Sequence, residues 1–279
     1  MPLGVDMSAM KLQIVPARQG ARWVRAGFGV FFRRPLAFAA LFTLFISAGL
    51  VAMLLPFVGA WLLLASLPLV SLAFMLATQR TLAGRQPTPG VFAEPLRLSP
   101  GRTRALVQMG LAYAVASFVV IALSDAADGG KFEALQEAMA SAQGDAGAIA
   151  ALLADGQLQF GLLLRFGLAA LLSLPFWHAP ALVHWGELGV GKALFFSTVA
   201  CWRNLGAFAV YGLAWGGVIL AVGAAANLLA ALVAQPQLIA LAAIPTGLLL
   251  STVFYASLYF TVVDCFAIEA APEATPGKP

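Results

Sequence analysis

Residues Arg34 to Arg80 read RPLAFAALFTLFISAGLVAMLLPFVGAWLLLASLPLVSLAFMLATQR, with no charge anywhere between the two flanking arginines. A helix needs about 20 apolar residues to cross a hydrocarbon core of about 30 Å, so this run holds two spans. Leu55-Pro56-Phe57-Val58-Gly59 supplies the turn between them. A chain that opens with such a hairpin is an all-α, polytopic membrane protein, and the rest of the sequence is read for further spans.

Composition agrees with that class. Of 279 residues, 61% are hydrophobic and only 10% charged, with a mean hydropathy of +0.91. A soluble domain has about 25% charged residues, and a disordered chain, a coiled coil or a nucleic-acid-binding module needs far more charge than is present. A third span fits between Arg104 and Asp125, and a fourth runs from Phe160 to Val183. The uncharged stretch Asn204 to Val263 is divided by Gln235-Pro236-Gln237 into a fifth and a sixth. The expected spans are about 36–55, 57–78, 105–124, 160–183, 207–233 and 238–263. They form one six-helix transmembrane domain over 20–265. It lies between an N-terminal cytoplasmic tail, 1–19, and a disordered cytoplasmic tail, 266–279.

Charge sets the orientation. With the N-terminus inside, 14 of the 16 basic residues fall on the cytoplasmic side, and Lys131 and Arg165 fall outside. That asymmetry follows the positive-inside rule and places both termini in the cytoplasm. The first apolar run starts too late for the core of a cleavable signal, so the first helix is expected to stay as an anchor. Met10-Lys11-Leu12-Gln13-Ile14-Val15 reads as a natural beginning, with Met1 to Ala9 as an extension. Cys201 and Cys265 fall at the cytoplasmic face, where thiols stay reduced, and no CxxC metal spacing is present.

Three segments lie outside the hydrocarbon. From Gly20 to Arg34 the arginines Arg22, Arg25 and Arg33 recur at helical spacing, opposite Trp23, Phe28, Phe31 and Phe32. This is the pattern of an interfacial amphipathic helix, with arginines toward anionic lipid and aromatics toward acyl chains. Lys192 to Asn204 approaches the fifth span in a comparable way, and the two units make a weak internal repeat. The external segment, 125–159, holds six acids. Phe132, Leu135 and Met139 make an apolar stripe on one helix of it, and Asp145 is placed to cap a second. Glu133 and Glu137 share a helix face, read as a solvated acidic face because the ordered oxygens of a calcium loop are missing.

The spans carry little chemistry. No cofactor is called for. HExxH, GxSxG and Walker A patterns are absent, and no span holds paired carboxylates, which removes the warrant for a zinc protease, serine hydrolase or ATPase. The most distinctive stretch is Pro175-Phe176-Trp177-His178-Ala179-Pro180-Ala181-Leu182-Val183-His184-Trp185-Gly186-Glu187. Its prolines free backbone carbonyls near the cytoplasmic end of the fourth helix. Two readings stay open. His178, His184 and Glu187 line a small polar site with Arg203 and Asn204 nearby, or Trp177, Trp185 and the two histidines form an interfacial belt at headgroup depth while Pro175 and Pro180 kink the helix. Gly212 and Gly216 form a GxxxG step read as internal packing, and Asn227 is expected to make an interhelical hydrogen bond.

Taken together, Ile14-Val15-Pro16-Ala17-Arg18, Phe32-Arg33-Arg34-Pro35-Leu36, Phe176-Trp177-His178-Ala179-Pro180-Ala181-Leu182-Val183 and Lys192-Ala193-Leu194-Phe195-Phe196-Ser197 through Arg203-Asn204 carry a resemblance. The chain resembles, over nearly its whole length, an uncharacterised family of six-helix bacterial inner-membrane proteins known mostly from beta-proteobacteria. The resemblance implies topology and a bacterial inner-membrane location and no mechanism. The expected function is that of a non-enzymatic multi-pass envelope accessory or assembly protein. Its partners are the lipid bilayer, with anionic lipid at the basic face, and a membrane protein, not nucleic acid. The alternative is a permease or carrier for a lipid or small solute, using the proline-kinked fourth helix.

Overall fold

The computed structural model describes residues 10–140, 146–233 and 236–268. The expected cap Asp145, the breaker residue Gln235, the extension Met1–Ala9 and the tail from 269 onward lie outside the described residues. Helices run α1 Gln19–Arg33, α2 Pro35–Met53, α3 Val58–Leu82, α4 Gly90–Ala93, α5 Pro100–Asp128, α6 Lys131–Ala140, α7 Ala146–Ala154 and α8 Gly156–Trp177. They continue as α9 Ala179–His184, α10 Val190–Arg203, α11 Leu205–Val233 and α12 Pro236–Cys265. Six stretches among the described residues are long and apolar enough to span a membrane: α2, α3, α5, α8 with α9, most of α11 and the later part of α12. The chain is an all-α polytopic membrane protein.

Local chemistry explains several boundaries. Pro35 begins α2, where a missing N–H costs nothing. Gly129, in the left-handed conformation (φ +65°), ends α5. Asp155 caps α8 by accepting the N–H groups of Gln157 and Leu158 at 2.9 and 3.0 Å.

Helices α3 and α12 form the centre, joined by the Thr78 hydroxyl donating to the Ala256 carbonyl at 3.1 Å. Phe74 of α3 sits in an aromatic cluster with Phe38, Phe42, Phe92 and Tyr255. Helix α2 packs on this pair, and α5 and then α8 follow outward from α3.

Helix α1 is amphipathic as its sequence predicts, but much of its apolar face is turned inward. Trp23, Val24, Val30 and Phe31 are buried, and α1 packs along α11 and α12, while Phe32 stays exposed. Two glycines permit the close approach. A Cβ on Gly20 would strike the Ala207 carbonyl, and one on Gly27 would lie 2.7 Å from the Ser257 Cβ. Acyl chains therefore do not cover Trp23 and Phe31; the protein does.

Both regions read as tails contribute strand. Met10–Leu12 (β1) pairs antiparallel with Phe266–Ile268 (β2), Met10 opposite Ile268 and Leu12 opposite Phe266. The ordered backbone thus begins before residue 19 and continues past 265, because these short extended pieces satisfy each other's backbone groups.

The acidic end of the bundle is tied by ion pairs. Arg165 of α8 reaches both Asp125 and Asp128 of α5, and its guanidinium lies 4.0 Å from the Phe132 ring centre. Lys131 pairs with Asp155 at 2.6 Å. Leu135 of the expected stripe on α6 is buried, Phe132 is half-buried under Arg165, and Met139 is exposed.

Candidate functional site

The proline-rich stretch builds a joint between α8 and α9. In a continuous helix the His178 N–H would bond the Leu174 carbonyl. Here the Ser197 hydroxyl of α10 stands between them, accepting from His178 N–H at 3.0 Å and donating to Leu174 O at 2.8 Å. A side chain inserted into the backbone ladder is a recognised cause of a helix break, and Pro180 at the start of α9 prevents the ladder from reclosing.

Trp177 donates its indole N–H to Thr261 Oγ1 at 3.1 Å and meets Phe208, Tyr211 and Phe254 edge-on. His178 is fully buried, with Nδ1 3.7 Å from the Cys201 sulfur. Its Nε2 is buried and has no hydrogen-bond partner among the described residues. Burial pushes the Cys201 thiol up, with Cys265 acting in the same direction, so Cys201 is held protonated and is a poor nucleophile.

The other candidates disperse. His184 ends α9, nearly buried, with its carbonyl facing Arg102. Glu187 takes a left-handed backbone (φ +53°) that turns the chain toward α10, and its carboxylate pairs with Arg102 at 3.0 Å. Arg203 is exposed.

Asn204, at the break between α10 and α11, staples the N-terminal segment. Its Oδ1 accepts the Val15 N–H at 2.8 Å, and its Nδ2 donates to the Gln13 and Ala200 carbonyls, each at 3.0 Å. Asn227 is exposed on α11 and bonds the Gly223 carbonyl one turn back at 2.9 Å, in place of the expected interhelical bond. The glycines of the GxxxG step also lie open, since a Cβ on Gly212 or Gly216 would meet nothing within 4 Å.

A cleft of about 120 Å³ lies beside Trp177, bordered by Tyr113, Phe176 and Tyr255. Larger apolar grooves, about 470 and 440 Å³, open between α2 and α3 and between α11 and α12. His178 and Asn227 line none of the three.

Along 272 residues the chain is 35% identical to a probable inner membrane protein of Burkholderia thailandensis, covering 97% of each. The chain belongs to that protein's family. It is a multi-pass protein of the bacterial inner membrane, and the relative's name assigns a place without an activity. No protein-family model and no solved structure matches the chain.

Sequence reasoning missed two residues that matter here. Asp264, at the end of α12, accepts from the Trp23 indole at 2.7 Å and from Gln19 Nε2 at 2.6 Å, fastening α1. Ser197, the hinge pin of the joint, had no local signal beyond being a small polar residue on an otherwise apolar helix face.

Proposed function

We propose that this inner-membrane protein is a non-enzymatic accessory or assembly protein that offers surfaces, not a reaction centre, to other envelope proteins. One observation carries the reading: polar side chains at the α8–α9 joint and the basic end of the bundle are engaged in holding the protein's own structure. Ser197 holds His178 and Leu174, Asn204 holds Gln13 and Val15, and Asp264 holds Trp23.

Both termini and the basic end face the cytoplasm in this reading. Arg18, Arg22, Arg25, Arg33 and Arg34 are exposed there, and each such charge near an anionic leaflet contributes about 1 kcal/mol of attraction. The two basic residues at the other end, Lys131 and Arg165, are matched by Asp155, Asp125 and Asp128.

The test is affinity capture from membranes in mild detergent, paired with deletion. A stable membrane-protein partner and an envelope that becomes sensitive to detergents and dyes are expected. Capture that returns nothing, with an intact envelope in the deletion strain, contradicts the proposal.

A carrier reading draws on the α8–α9 joint and the cleft beside Trp177. It requires the joint to move, whereas Ser197 is bonded to both of its sides. His178→Ala, Pro180→Ala and Asn227→Leu are therefore expected to leave uptake and efflux of a sensitised strain unchanged. A selective transport loss in any of them supports the carrier instead.

A further inference from the structure

Two helices in this chain are short, basic and rich in aromatics, and they bury opposite amounts of their aromatic surface. On α1 the rings of Trp23 and Phe31 are inside the protein. On α10 the inward positions are the small residues Ala193, Ser197, Ala200 and Cys201, at helical spacing, all buried. Its outward face carries Lys192, Phe195, Phe196, Trp202 and Arg203. Phe195 is 62% exposed, Phe196 41% and Trp202 65%.

The ends of α10 fix its attitude. It follows α9 directly, and the turn between them is fastened to the start of α5 by Glu187 and Arg102. Its far end is fastened by Asn204 to Gln13 and Val15, next to the point where Gln13 N–H bonds the Cys265 carbonyl at the end of α12. Both anchors belong to the same, basic end of the bundle. Fourteen residues make a helix of about 21 Å, too short to cross a bilayer, and its two anchors and its packing against α8 near Leu174 and His178 keep it beside the basic end of the bundle.

We propose that α10 is an in-plane membrane anchor that seats Phe195, Phe196 and Trp202 at the boundary of headgroups and acyl chains and holds anionic phospholipid through Lys192 and Arg203. A large exposed apolar face on a helix beside the spans has the bilayer as its nearest apolar phase. Trp202 is the residue type favoured at headgroup depth. The cations at the two ends of the face can extend along the rings to phosphate, and neither is paired with a carboxylate among the described residues. Helix α1 has arginines outward and only Phe32 as a fully exposed ring, so it meets headgroups without entering the acyl layer. The choice of an anionic lipid rests on the proposed cytoplasmic placement of the basic end; the depth of α10 does not.

The experiment uses the full chain in lipid nanodiscs, with Cys201 and Cys265 replaced by Ala. Spin labels are placed by Phe195→Cys, Trp202→Cys and, as a control on α1, Arg22→Cys. Labels at 195 and 202 are expected to be reached by oxygen in preference to a water-soluble nickel complex, and the label at 22 by nickel. In a second arm, phosphatidylglycerol and phosphatidylcholine compete for retention on the protein without the cysteine changes. The Lys192→Gln/Arg203→Gln variant is expected to lose its phosphatidylglycerol preference about ten-fold at low salt. Nickel access at 195 and 202 overturns the insertion. Exclusion of both reagents there also overturns it, because protein then covers the face. Unchanged lipid preference in the Lys192/Arg203 variant overturns the lipid assignment. None of these outcomes depends on orientation in the cell, which reporter fusions after Glu94 and Gly144 test separately.

Discussion

The Ser197 hydroxyl accepts the His178 main-chain N–H at 3.0 Å while donating to the Leu174 carbonyl, so one side chain replaces a backbone hydrogen bond between two other residues. The geometry turns a proline-weakened helix into a fixed joint. Buried backbone groups left without partners in a low-dielectric interior are costly, and this hydroxyl satisfies one donor and one acceptor at once.

Ser197→Ala is expected to lower stability by about 1–3 kcal/mol, because it strands both groups. Thermal or denaturant unfolding in detergent reads this directly. Wild-type stability would show that Leu174 and His178 reclose on each other unaided.

Asn204→Leu removes the two hydrogen bonds, to Val15 and Gln13, that hold the segment before α1. Limited trypsin digestion of the folded protein is expected to cut at Arg18 several-fold faster in the variant, while the helices after it stay intact. Equal cutting rates would mean that the β1–β2 pairing alone secures the segment.

Cys201 is expected to resist maleimide at mildly alkaline pH in the folded protein and to react once unfolded. Burial raises its proton affinity in the folded state, so its contribution to stability is complete below the ordinary thiol range and is lost as pH rises through and above it. Rapid labelling of the native protein would contradict this.

Asp155 has the opposite sign. The Lys131 ammonium first, and the Leu158 N–H next, hold its carboxyl below the usual range. Its contribution is present above the ordinary carboxylate range and disappears as pH falls through the lowered value. Asp155→Asn should therefore melt below wild type near neutral pH, with the gap closing in strong acid. A gap independent of pH would assign the effect to packing.

The spans were legible because a charge-free run measures helix length directly, as between Arg34 and Arg80. The prolines at 175 and 180 likewise announce a break in the fourth span. Its pin was not legible, because Ser197 lies on a separate helix and periodicity reports which face a residue occupies, not which partner it meets. Asn227 misled for the same reason: an amide deep in a span implies a hydrogen bond, and the Gly223 carbonyl on its own helix supplies it. The aromatics of α1 and α10 look alike in sequence, and only glycines at 20 and 27, opposite Ala207 and Ser257, allow α1 to sink into the bundle. Arg165 is legible as a charge near a span end but not as the partner of Asp125 and Asp128, which arrive from α5.

The most direct test of the structural role assigned to the polar residues of the α8–α9 joint is complementation of the envelope defect, measured against the amount of folded protein in the membrane. Variants Trp177→Phe, His178→Phe, His184→Phe and Ser197→Ala are compared in a strain lacking the native chain. Activity per folded molecule is expected to equal that of wild type in every variant, with any loss following abundance alone. A variant that accumulates normally yet fails to complement would place a reaction or transport centre at this joint and contradict the account.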